Sequence, residues 1–376
     1  MIKAKKIFKA IGFGLLVCAV MLTQGRPVQA APNVYEIRGV SIDVTAKTAA
    51  AAREEALANG EMIAFRLLLE RLTLQADREK LPFLSREEIA VYIQDFSVSN
   101  EKTSSVRYLA ELNFRFKKKE VRQLLTDYGV PFAETASKAV LVLPVYQAEG
   151  SLSLWDDSNP WRTAWGTQVR TDGLVPKMLP VGDLGDIGLI SANQAIEGDR
   201  QRLVAIAERY KVSDAIVAAA ALDVDPATGG KNLIIKVQRN GLDLESAVET
   251  LNLALNPGET VEALLVRGIH GVEQIIDDQW KYENLLTFDQ LGIATVVVPI
   301  EGLSHWLRLL AKLKDIAVIR RTEMVLLTKE EIRINLHHIG DRNQLILALH
   351  QADLDLVQEA DEWILGFADD FVAGKT

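Results

Sequence analysis

Hydrophobic and polar positions along this chain switch repeatedly between two spacings. Over residues 34–44 the later positions Val40, Ile42 and Val44 alternate with polar neighbours. That pattern predicts a strand, because successive side chains of extended backbone point to opposite faces. From Thr48 to Leu72 the spacing lengthens to three and four, with Ala56, Met62 or Ile63, Leu67 and the run 68–72 supplying an apolar stripe, which predicts an Ala-rich helix. A short helical start at Ser85, strands over 91–99 and 106–116, a polar hairpin loop over 100–104 and a helix over 118–128 follow. The order β-α-β-β-α describes a small α+β sandwich.

The pattern restarts at residues 139–145, where Val140, Leu141, Val142, Leu143 and Val145 form a nearly continuous apolar run. Such a run suits a strand covered on both faces. A helix is predicted over 198–210, a strand over 214–222, a turn at 225–230, a strand over 232–237, a further strand within 244–255, and a long helix over 259–285. This reads as an α/β layer whose early strands are parallel and whose late strands are hairpin-linked. The last stretch predicts strand 295–300, helix 302–313, strands 316–327 and 331–339, helix 341–351 and strand 353–357. That is the ferredoxin-like order β-α-β-β-α-β. A short extra strand over 363–367 is expected beyond it. The expected fold class is therefore α+β / α/β, built from three small mixed modules over 31–136, 137–290 and 291–376. Connections fall at 134–137 and 287–292, where small and polar residues gather.

The first thirty residues change the picture by adding an address. Lys3, Lys5, Lys6 and Lys9 precede an apolar run over 11–22, and Val28-Gln29-Ala30 ends in the small residue a signal peptidase accepts. This predicts a cleavable secretory signal over 1–30 and a periplasmic mature protein, with a membrane-anchored form as the minor alternative. The run is shorter than the roughly 20 residues of a spanning helix, so no transmembrane segment is expected after cleavage. Cleavage removes five basic residues and no acid, taking the formal charge from −9 to −14. It also removes Cys18, the only cysteine, which excludes disulfides, thiol nucleophiles and Cys-ligated metals from the mature chain. The acidic balance argues against nucleic-acid binding.

One segment concentrates candidate chemistry. Trp155, Trp161 and Trp165 are three of the six tryptophans, and they are interleaved with Asp156, Asp157, Asn159 and Arg162. Indole faces stack on sugar rings or prolines, and the carboxylates and amide can take ligand hydroxyls. Adjacent carboxylates in extended chain point apart, so Asp156 and Asp157 are poorly placed as an acid/base pair. A structural reading stands beside the binding one: Asn159 caps a short helix, Pro160 is its first residue, and Trp161 and Trp165, at i and i+4, pin it to the sheet.

A second constellation is basic: Arg115, Lys117, Lys118, Lys119 and Arg122. Positive charge at a helix start opposes the helix dipole. The run reads either as a solvated face or as a contact with anionic lipid headgroups or an acidic partner, that is, a peripheral membrane contact. Adjacent His337 and His338 on a strand face apart and cannot ordinarily share a metal. Gly182, Gly185 and Gly188 miss the dinucleotide spacing, with no helix expected after them, and the sequence around Ser304 fails the nucleophile-elbow pattern. No catalytic residue, metal or cofactor is expected.

The opening 34–46, the helix segments 51–57 and 67–73, the run Val140-Leu141-Val142-Leu143-Pro144, the segment 155–165 and the pattern Gly340-Asp341, Leu345, Leu349 and 354–356 together resemble the bacterial family catalogued as domain of unknown function 2066. The resemblance covers nearly the whole mature chain. It implies an exported bacterial protein and carries no activity or site residues. The middle module is similar in layout to the N-terminal domain of the Tol-system propeller protein, a likeness of fold alone. The functional expectation is a non-enzymatic cell-envelope protein, a periplasmic binding or adaptor module acting on an envelope protein or glycan. The alternative is glycan, that is peptidoglycan, binding or processing through segment 155–165.

Overall fold

The computed structural model describes residues 33–148, 150–167, 173–224, 230–239, 248–286, 291–359 and 362–373. The expected signal at 1–30, most of the 225–230 turn and the 287–290 part of the second connection lie outside the described residues. Helices and strands are mixed throughout, as an α+β chain requires.

The first sheet has three strands in the order β1 (Glu36–Thr45), β3 (Arg107–Phe116), β2 (Ile93–Thr103), all antiparallel. Between β1 and β2 run α1 (Ala49–Leu72) and α2 (Arg86–Ala90), and α3 (Lys118–Asp127) follows β3. The Thr48 side chain caps α1, and Ser85 and Glu88 form a reciprocal capping box at α2, satisfying N–H groups that have no partner within the helix. The buried stripe of α1 is Ala52, Ala56, Gly60, Ala64, Phe65, Leu68, Leu69 and Leu72, whereas Met62, Ile63 and Leu67 are exposed. Gly60 is the point of closest approach: a Cβ there would strike the Leu112 side chain of β3. The predicted 100–104 loop is shorter than expected, because β2 continues to Thr103 through a register shift with Asn100 at φ 52°. Asn tolerates that left-handed backbone better than most residues.

The second sheet runs β5 (Ser151–Ser153), β4 (Val140–Ala148), β7 (Asp214–Val224), β8 (Lys231–Arg239), β9 (Val248–Ala254), with β6 (Lys177–Met178) also paired to β4. β4 and β7 are parallel, and β7, β8 and β9 are antiparallel. Alternation sorts β4 cleanly: Val140 and Val142 join one core with α4 (Pro160–Thr167) and α8 (Val261–Glu283), while Leu141, Leu143 and Val145 join another. That second core is covered by α5 (Leu184–Leu189), α6 (Ala192–Glu197) and α7 (Arg200–Tyr210). Short α5 and α6 were not expected from the glycine spacing. Asp183 caps α5 and Ser191 with Gln194 caps α6, a local signal strong enough to start helices of six residues.

The third sheet is ordered β11 (Ile319–Leu327), β12 (Glu331–Ile339), β10 (Leu291–Pro299), β14 (Glu362–Phe367), β13 (Leu354–Glu359). α9 (Leu303–Asp315) and α10 (Arg342–Gln351) bury Trp306, Leu309, Leu345 and Leu349 against it. The β-α-β-β-α-β order is present, with one difference from a plain ferredoxin-like sheet. The extra strand β14 lies parallel to β10 and separates it from β13. A six-residue α11 (Ala368–Ala373) ends the described chain.

The first and third sheets contribute to one continuous hydrophobic core that runs from Tyr35 to Leu365. The 134–137 connection is buried rather than loose. Glu134 is ion-paired to Arg122, Trp280 donates its indole N–H to the Thr135 carbonyl at 2.7 Å, and the Ser137 N–H donates to Leu174 at 2.8 Å. Among the described residues no helix is long and apolar enough to cross a membrane.

Candidate functional site

Segment 155–165 divides by burial. Asn159 is buried, its carboxamide oxygen accepting from the Arg162 N–H at 2.9 Å to cap α4 and its amide donating to Pro144 O and Ser153 O at 3.0 and 3.1 Å. Pro160 is the first residue of α4. Trp161 and Trp165 lie edge to face, 5.8 Å apart and both buried in the core between α4, α8 and the second sheet. The Trp161 indole donates to Ala218 O at 2.9 Å, and among the described residues the Trp165 N–H has no acceptor. Neither face is free for a sugar ring. Trp155 is half-buried and donates to Ile190 O at 2.8 Å. The structural reading therefore accounts for Asn159, Trp161 and Trp165, with capping and core packing as the causes.

The two carboxylates go the other way. Asp156 and Asp157 are exposed and line a cleft of about 260 Å³ with Pro144, Arg162, Thr163 and the Leu179-Pro180 segment. Neither makes a hydrogen bond or ion pair through its side chain among the described residues. The far wall is rigidly held. Arg162 donates to Val181 O at 2.6 Å, the Val181 N–H donates to the Tyr210 hydroxyl at 2.7 Å, and that hydroxyl donates to buried Asp186 at 2.6 Å. Burial first, then the Asp186 hydrogen bond, pushes the Tyr210 hydroxyl above its ordinary value, so it remains a donor. Gly182, at φ 82°, takes a left-handed turn where any Cβ would collide with the Arg162 guanidinium. Beyond it Val181, Leu184 and Ile187 are exposed. Of these residues Arg162 and Gly182 were named from the sequence, whereas Leu179, Pro180 and Val181 were not. Their signal was the apolar Leu179-Pro180-Val181 run ending on Gly182, which turn chemistry alone could flag.

The basic run does not share one surface. Arg115 alternates with inward Phe114 and Phe116, so it lies on the open face of the first sheet, in a two-bond pair with Asp95 at 2.7 Å. Lys117 donates to Val91 O at 2.8 Å, and Lys119 is exposed. Lys118 and Arg122, one helical turn apart, face inward together. The Lys118 ammonium sits 5.9 Å from the Tyr35 ring centroid, and Arg122 clasps both oxygens of Glu134, one of which also accepts from the Tyr35 hydroxyl. Burial lowers Lys118 below the ordinary lysine range, opposed by Glu134 and reinforced by Arg122 and Arg320. Burial and Glu134 push the Tyr35 hydroxyl well above its ordinary value.

His337 and His338 point apart: His337 pairs with Glu323 at 3.0 Å, whereas His338 is buried. Among the described residues no group of three His, Cys, Asp or Glu side chains is arranged to hold a metal ion. Comparison with protein-family models, with curated proteins and with solved structures found no match.

Proposed function

We propose that this protein is an exported, non-enzymatic binding module of the bacterial cell envelope, periplasmic, and that it engages a partner protein through the cleft beside α4. One observation carries the reading: Asp156 and Asp157, without a side-chain partner among the described residues, line a cleft together with the apolar Pro144, Leu179 and Pro180. Free carboxylates beside apolar side chains fit a segment that presents a lysine or arginine next to an apolar residue, since the charge is satisfied while the apolar pair excludes water. The leader and the sequence resemblance support the envelope setting. Burial of Trp161 and Trp165 leaves the glycan alternative with half-buried Trp155, beside Asp156 and Asp157, as the indole of this segment that is not enclosed.

The test combines fractionation with crosslinking from a photoreactive residue at Thr163 in living cells. Release with the periplasmic fraction and a discrete protein adduct, lost in Asp157→Arg, are expected. Retention in the cytosol overturns the setting, and sugar release from peptidoglycan by the purified chain overturns the non-enzymatic assignment.

A further inference from the structure

β11 forms one border of the third sheet and ends in Met324-Val325-Leu326-Leu327, four apolar residues between 46% and 59% exposed. Among the described residues no strand lies on its outer side, so the N–H and C=O groups on that side meet no ladder. The other border strands differ. β1, β2, β9 and β13 hold no more than two apolar residues in succession, and β5 is three residues long. Charge along an edge discourages pairing with another chain, and the last four residues of β11 lack it.

The register with β12 fixes how this run is disposed. Met324 lies opposite Ile334 and Leu327 opposite Ile332, both core residues, so Met324 and Leu327 occupy the core face. Between those points β11 carries one residue more than β12, and Val325 and Leu326 together oppose Arg333. Both therefore fall on the open face. Read in either direction the run is core, open, open, core, a symmetry that a regularly alternating strand lacks. An antiparallel second copy matches it. With a two-fold axis between Val325 and Leu326, Met324 stands opposite Leu327 of the second copy on the core face, and Val325 opposite Leu326 on the open face. The same register sets Arg321 opposite Glu330 and Arg320 opposite Glu331, so the basic start of each strand meets the acidic turn of the other. Arg321 and Glu331 keep their pairs with Glu323 and Arg333, and Glu330 is exposed with no side-chain partner among the described residues. An axis through Val325 itself would oppose core-face Met324 to open-face Leu326 and Arg321 to Lys329, both unfavourable.

We infer that β11 pairs antiparallel with β11 of a second copy of this chain, about a two-fold axis between Val325 and Leu326, joining two five-stranded sheets into one. A contact of a surface with itself closes, so the product is a dimer rather than a fibre. One strand pair buries less than a permanent interface does, so the dimer is reversible. The surface is formed by other elements than the cleft beside α4 and does not depend on the function proposed for it.

Sedimentation equilibrium of the purified chain over a rising concentration series should show monomer passing to dimer and no further. Hydrogen exchange of the unmodified chain, read at the two ends of that series, should show residues 321–327 gaining protection in the dimer, a result independent of how any variant folds. Val325→Lys places two ammonium groups beside the axis and should weaken association about tenfold or more. Glu330→Lys should weaken it about twofold to fivefold. Val357→Lys, on the opposite border strand β13, should change it less than about twofold. A monomer at every concentration overturns the pairing, as does open-ended growth, a dimer without protection over 321–327, or a dimer that survives Val325→Lys.

Discussion

At the scale of single residues, burial separates neighbours that look alike in the sequence. Trp161 and Trp165 are both enclosed, yet among the described residues only Trp161 has an acceptor for its indole N–H. Trp161→Phe removes a hydrogen bond to a buried carbonyl and opens a void, and should cost about 2–4 kcal/mol. Trp165→Phe removes a donor that is already unsatisfied, so its cost should be smaller by about 1 kcal/mol or more. Equilibrium urea unfolding of the two variants checks this, and equal losses would contradict the assigned hydrogen bonding. The sequence foretold the cap at Asn159 and the i, i+4 pinning by Trp161 and Trp165, because both are local geometry. It could not show that Asp156 and Asp157 reach a cleft, since the opposite wall comes from Leu179 and Pro180.

At the scale of elements, most helices and strands were legible because each shows one face to a core and therefore leaves a periodic trace. α1, β4, α8 and β12 fall where the pattern placed them. The exposed Met62, Ile63 and Leu67 show the limit: several stripes of α1 are apolar, and only the one with small residues lets β3 approach. Strand order was less legible, and β14 is the clearest instance. Its short pattern says strand but not that it lies between β10 and β13. Ile364→Pro should consequently cost about 3 kcal/mol or more, since proline removes a ladder donor from a central strand. Val325→Pro, on the edge strand β11 at an unpaired register position, should cost about 1 kcal/mol or less. Thermal unfolding of both variants distinguishes an inserted strand from a peripheral one.

At the scale of the whole molecule, buried polar groups join segments that the sequence separates. Lys281 on α8 donates to the carbonyls of Glu70 and Thr73 at 3.1 and 2.8 Å, completing the C-terminal end of α1, and also contacts Asp278 at 3.1 Å. Burial holds its ammonium below the ordinary lysine value, partly offset by Asp278. Between that depressed native value and the ordinary one the unfolded chain binds more protons, so this group makes stability rise as pH rises through the window. Lys281→Met should lose about 2–3 kcal/mol at neutral pH, through the unsatisfied carbonyls, and should lack that alkaline rise. Urea unfolding from pH 7 to pH 10 checks both effects, and a variant with an unchanged pH slope would contradict the assignment. The sequence by itself determined the mixed α/β class, the run of elements and their inward faces, because each is set by residues within a few positions of one another. Only the tertiary structure decided that the 134–137 connection is buried, that Arg115 and Arg122 part company and that Tyr35 meets Arg122 on one Glu134 carboxylate. Those outcomes depend on which charged and polar groups from remote segments are brought into reach, and periodicity carries no record of that.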